Sequence, residues 1–250
     1  MNFFNVDSQI EITAFDMVFI NQVFHAAKNS STWNPEISLT EYLKIVPVFL
    51  LSDNSMQKFD YVIRKSEDPD RNPSTEYLGF YKRLTDITES IPYIPAIFIC
   101  PERIWKSINK PFNKNKINYQ ELLTKVIIHE FAHAKMDTGR NDKFPDYSEE
   151  FYRYVEEPLA NWFVLKYLYH YGNGHFFNVA KEFINSQPDE YKKGVDLFEN
   201  SIPDNCWKNW LELKKTEINK KDKVDYMNGI KSKAFKDFTE SFKKLCSVPK

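Results

Sequence analysis

The chain has 250 residues, 42% of them hydrophobic and 16% aromatic, with 28% charged. That composition can bury a sizeable core and excludes an intrinsically disordered protein. The 34 basic and 35 acidic side chains leave a formal net charge of -1, which offers no attraction for nucleic acid or for an anionic membrane.

The N-terminal stretch carries Asp7, Glu11 and Asp16 among its apolar residues. It does not read as a signal peptide, and no apolar run approaches the ~18 residues of a bilayer span. Cytoplasm is the default expectation. Met17, Ile20, Phe24 and Ala27 recur at helical spacing and predict a helix over Asp16–Lys28. Ser38-x-x-Glu41 could cap a short helix before Pro47. Strand character follows in Val46–Leu51, Phe59–Arg64, Tyr77–Arg83 and Ile94–Cys100, with turn chemistry at Asp68-Pro69-Asp70-Arg71-Asn72-Pro73. Residues 1–117 therefore read as a helix plus a small, mostly antiparallel sheet.

From residue 118 the pattern is helical. Asn118-x-x-Glu121 resembles a capping box opening a helix over Tyr119–Asp137, and Gly139 is a natural stop. A polar link, Arg140–Tyr147, leads to a helical stretch from about Ser148 to Tyr171. Pro158 predicts a break near Glu156 and a new helix start, and Gly172 ends that helix. Further helices are expected over Phe176–Asn185, Tyr191–Phe198, Trp207–Lys220 and Lys231–Cys246. The expected fold class is α+β, one domain of two lobes (1–117 and 118–250), with a cleft between them and a mostly helical C-terminal half. Three widely spaced cysteines, Cys100, Cys206 and Cys246, form no Cys-x-x-Cys pair. They argue against a disulfide framework or a cysteine zinc site.

The chemistry concentrates in His129-Glu130-Phe131-Ala132-His133, an H-E-x-x-H pattern. In a helix, residues four apart share a face, so both imidazoles can reach one metal ion. Glu130 sits about 100° round from His129 and can approach a water at the metal without displacing a ligand. A structural reading also exists: two histidines of a core helix bonded to backbone or solvent. A third ligand decides between the two. The extended pattern H-E-x-x-H-x-x-G-x-x-H fails, because its last two positions are Met136 and Gly139. His170 and His175 lack a supporting context. The acidic pair Glu156-Glu157 opens the next helix and is the remaining candidate.

With this pair the sequence resembles the gluzincin group of zinc metallopeptidases, in which a Glu on a later helix completes H-E-x-x-H and is followed four residues on by Asp or Asn. Glu157-x-x-x-Asn161 matches that arrangement, and Glu157-x-x-Ala160-Asn161 is also similar to the ImmA/IrrE-type metallopeptidases. The resemblance covers roughly residues 94–165 and implies a zincin-like fold. Glu157 is preferred to Glu156 because Asn161 lies one turn further on the same helical face. Its carbonyl could orient a ligating imidazole; Glu156 has only Ala160 at that offset.

The implied site holds one Zn2+ through His129, His133 and Glu157, with the fourth position open as in catalytic zinc sites. Glu130 would be the general base for water attack on a peptide or protein substrate. Tyr154, His175 and Tyr191 are candidate oxyanion donors. An extended substrate could pair with Ile94–Cys100 or a neighbouring strand, as the resemblance implies. Two other readings stay open: a zinc-containing binding or regulatory protein without turnover, and a structural protein with an empty motif. Latency is a further expectation, with the C-terminal residues covering the cleft.

Overall fold

The computed structural model describes residues 3–28, 46–58, 77–83, 95–109, 116–137 and 156–200. Ser38-x-x-Glu41, Phe59–Arg64, the 68–73 turn, the 140–147 link, Tyr154, Cys206, Cys246 and the helices expected over 207–220 and 231–246 lie outside the described residues. So do the cleft-covering role and the first part of the stretch from Ser148.

Four strands and seven helices occur among the described residues. They are β1 (Phe3–Asn5), α1 (Ala14–Lys28), β2 (Val48–Leu50), α2 (residues 53–58), β3 (Gly79–Arg83), β4 (Pro95–Ile99) and α3 (Pro101–Ile108). Helices α4 (Tyr119–Asp137), α5 (Glu157–Tyr171), α6 (Gly174–Asn185) and α7 (Asp189–Glu199) follow. The class is thus α+β with a mostly helical C-terminal half. No described helix is long and apolar enough to cross a membrane.

The sheet differs from the expected one. Its order is β1-β2-β4-β3; β1 pairs β2 and β2 pairs β4 in parallel, and only β3 with β4 is antiparallel. Parallel neighbours need a crossover of a dozen or more residues, and here α1 supplies one between β1 and β2. The mostly antiparallel expectation lacked β1, whose three residues are too short to carry an alternation. Two helices were also unread. Pro101, which directly follows the Ile94–Cys100 strand stretch, stands in the first turn of α3, where its missing N–H costs nothing. Residues 53–58 turn helical behind Ser52, whose hydroxyl accepts from the Ser55 amide.

The chain divides into two compact units, Met1–Ala134 with Tyr167–Ala180, and Lys135–Lys166 with Lys181–Lys250. In the first, β4 is buried from Ala96 through Ile99, with Cys100 after it, as befits a strand flanked on both sides. Phe4, Phe49, Phe98 and Phe80 stand in register across all four strands. Their ring centroids are 5.4, 5.4 and 4.9 Å apart in turn. Such cross-strand aromatic pairs set the register as well as burying area. Arg103 of α3 is buried and donates to Asp53 at 2.6 Å and to the Tyr77 carbonyl at 3.0 Å. It ties α2 and α3 to the entrance of β3. Helix α1 starts two residues before its expected onset because Thr13 and Asp16 form a reciprocal cap. It packs Phe24 on Tyr167 and Phe19 on Phe176.

Candidate metal centre

Helix α4 has the bounds expected for it, and its first turn shows why. The Asn118 amide donates to Glu121 Oε2 at 3.0 Å, and the Glu121 amide donates to Asn118 Oδ1 at 2.9 Å. This reciprocal box satisfies two of the amides that every helix N-terminus leaves without an intrahelical acceptor. From Glu121 to Ala134 every residue of α4 is buried, the mark of a helix enclosed on all sides. His129 and His133 therefore project into protein interior, at 7% and 3% exposure.

Their Nε2 atoms lie 3.2 Å apart, with the rings edge-on at 76° and centroids 4.8 Å apart. Two imidazole nitrogens on one tetrahedral zinc, each about 2.05 Å from it, must be about 3.3 Å apart. The spacing in α4 meets that requirement. Two imidazole nitrogens this close can share a proton or a cation. A carboxylate, that of Glu157, lies near them. One ligand atom from each of His129, His133 and Glu157 lies within 4.8 Å of the others, the one such group among the described residues.

Glu157 is the first residue of α5 and is 3% exposed. The backbone changes from a π-type turn at Glu156 to α-helix at Glu157, and Pro158 falls in the first α-helical turn, where proline is tolerated. The helix dipole favours an acidic residue at this end. Glu156 is buried as well and does not join the group.

Around the triad, Glu130 is 4% exposed, and its side chain lies against Gly79 of β3, where an added Cβ would stand 3.4 Å from Glu130 Cγ. Asn161 is fully buried, and its Nδ2 donates to the Tyr191 carbonyl of α7 at 3.4 Å. The other histidines read from the sequence stand elsewhere. His175 is exposed and 3.5 Å from Glu121, and the His170 ring packs edge-on against Tyr169. Strand β4, considered as a substrate edge, pairs with β2 on one side and β3 on the other, so its main chain has no edge to offer.

Two glycines that sequence reasoning passed over approach the site elements closely, Gly79 beside α4 and Gly194 beside α5. The available signal was an isolated glycine inside a helical or strand pattern in a chain with only six glycines.

The fold and site define an α+β protein with a buried His-His-Glu cluster, carried on helices, that could hold a metal ion. Comparison with protein-family models, with curated proteins and with solved structures finds no match.

Proposed function

We propose that this protein is a zinc-dependent hydrolase, a metallopeptidase of gluzincin type with a zincin-like architecture. The observation that carries the reading is the 3.2 Å separation of the His129 and His133 Nε2 atoms with a buried Glu157 carboxylate beside them. The donor set suits zinc: two borderline imidazoles and one hard carboxylate, leaving a fourth position. Bound zinc would supply Lewis acidity, lowering the pKa of a water to about 7 and polarising the substrate carbonyl.

The chain's own groups do the rest. His129 and His133 present neutral imidazoles through Nε2, and Glu157 adds the single negative charge that offsets the cation. Glu130, on the same helix but rotated away from the ligand face, takes a proton from water at its carboxylate and returns it to the leaving amine nitrogen. Burial of the ligands and of Glu130 keeps bulk water from screening these charges. Asn161 orients the ligand set from the turn after Glu157. A peptide or protein is the proposed substrate, and β3 is the strand whose Gly79 stands against Glu130.

The test is metal analysis paired with two variants. Protein purified without chelator should carry one zinc per chain. Glu130→Gln should keep the zinc and lose hydrolysis of a peptide pool, whereas Glu157→Gln should bind zinc more weakly. Stoichiometric zinc with no turnover in wild type would leave a zinc-containing binding protein. No zinc at all would end the proposal.

A further inference from the structure

Helix α7 lies outside the metal-ligand motifs, yet it carries a glycine in its interior. Glycine weakens a helix interior relative to alanine, so its presence at position 194 calls for a reason. A Cβ built on Gly194 would stand 2.5 Å from Asn161 Cβ, 2.8 Å from the Pro158 carbonyl oxygen and 3.0 Å from the Trp162 amide nitrogen. Two of these three atoms are backbone, and Pro158 and Trp162 stand four apart, the spacing of a helical hydrogen bond. Gly194 thus lies flat against the first turn of α5, the turn that Glu157 opens. Three residues earlier on α7, the Tyr191 carbonyl accepts from Asn161 Nδ2. Both contacts fall on the same turn and belong to one compact unit of the chain.

We infer that Gly194 is a positioning residue for the metal site: the bare backbone of α7 seats the first turn of α5 so that Glu157 meets the two histidines. The inference rests on the metal-site reading above. Because two of the opposing atoms are main chain and the third is a Cβ, whose place the backbone fixes, no side-chain rotation can relieve a methyl at 194. The turn itself must move, and the carboxylate moves with it. A metal-ligand set responds steeply to such shifts, since supporting contacts outside the ligands typically govern affinity by about 10–100-fold.

The experiment titrates chelator-treated protein with Co2+, read by visible absorption, and with Zn2+ by competition. Wild type, Gly194→Ala, Glu157→Gln and the double variant form a cycle. Gly174→Ala is the control, because a Cβ there meets nothing within 4 Å. Gly194→Ala should weaken metal binding at least about tenfold in the wild-type background. In the Glu157→Gln background it should change binding by no more than about twofold, because the ligand it positions is gone. Gly174→Ala should bind like wild type. Equal losses in both backgrounds, or no loss in either, would overturn the inference.

A second measurement needs no variant at 194. Metal and α7 act on the same turn, so binding must slow amide hydrogen exchange across residues 189–199 in wild type and leave it unchanged in Glu157→Gln. Exchange indifferent to metal overturns the positioning role even if Gly194→Ala fails to fold. If wild type takes up no metal, or Glu157→Gln binds it as tightly as wild type, the metal-site reading falls and this inference with it. If Glu157→Gln weakens binding and Gly194→Ala does not, the positioning role alone is lost.

Discussion

Replacing Gly79 by alanine tests how closely β3 is held to the helix that bears the histidines. The new Cβ would stand 2.9 Å from Val126 Cγ1 and 3.0 Å from the Phe98 carbonyl oxygen. Comfortable carbon–carbon contact begins at about 3.5 Å, so the Val126 contact alone is about 0.6 Å too short. Neither neighbour yields easily. A valine in a helix has essentially one rotamer, and the Phe98 oxygen belongs to the backbone of the inner strand β4.

Overpacking of this kind costs about 1–3 kcal/mol, offset by about 0.4–1 kcal/mol from the lower entropy of alanine in the unfolded chain. The net expectation is destabilisation by about 1–2 kcal/mol, or about 2–8 °C in Tm for a chain of this size. Thermal and urea unfolding of the metal-free protein read this directly. The same Cβ only touches Glu130 Cγ, at 3.4 Å, but relief of the Val126 clash shifts the helix face that Glu130 shares one turn further on. In the hydrolase proposed above, turnover by the metal-loaded variant should therefore fall further than its metal affinity. An alanine variant as stable as wild type, or more so, would refute the close approach of β3 to α4 and with it the placement of Glu130.

Asn118→Ala removes one half of the cap that starts α4. It should cost about 1 kcal/mol of stability in a thermal melt while leaving metal affinity unchanged, because the histidines lie more than two turns away. Asp7 accepts from the Ser55 hydroxyl, which chiefly holds its carboxyl below the usual 3.8, and then from the Ser52 amide and hydroxyl. A carboxyl depressed in the folded state stabilises above its unfolded value and loses that contribution as pH falls through the folded one. Asp7→Asn should cost about 1 kcal/mol at neutral pH, after discounting for solvent exposure. Melts repeated at decreasing pH should show the gap from wild type closing below pH 3.8. The Cys100 thiol is pushed up to about 12 by burial, with the Glu102 charge acting in the same direction. Alkylation followed by peptide mapping should leave Cys100 unlabelled in native protein and labelled in urea. Labelling at the rate of an exposed thiol would contradict its enclosure.

The elements that were legible in advance are those whose signals are local. Helix α4 was readable to its last residue because the Asn118–Glu121 box lies within one turn and the apolar periodicity runs unbroken through Phe131. Pro158 marked the start of α5 for the same kind of reason, a backbone restriction that acts on its own neighbours. The pairing of His129 with His133 is likewise local, since four residues of helix bring two side chains onto one face. Strand β1 and the 53–58 helix escaped notice because each is too short to show a period, and α3 because two residues of its buried face, Arg103 and Ser107, are polar.

Partner choice is another matter. Whether β2 lies beside β1 or β3, and in which direction, depends on which apolar faces can be covered together, and α1 is what turns β1 and β2 parallel. The glycines at 79 and 194 look alike in sequence; their meaning appears only when another backbone is seen pressed against each. The meeting of Glu157 with the imidazoles is of the same non-local kind. Chain spacing proposes a carboxylate on a later helix, but the proximity of residues 129, 133 and 157 arises only after packing has set where that helix begins. Short-range order follows from torsional preference and hydrogen bonds within a turn, whereas convergence of distant groups is a collective property of the packed core.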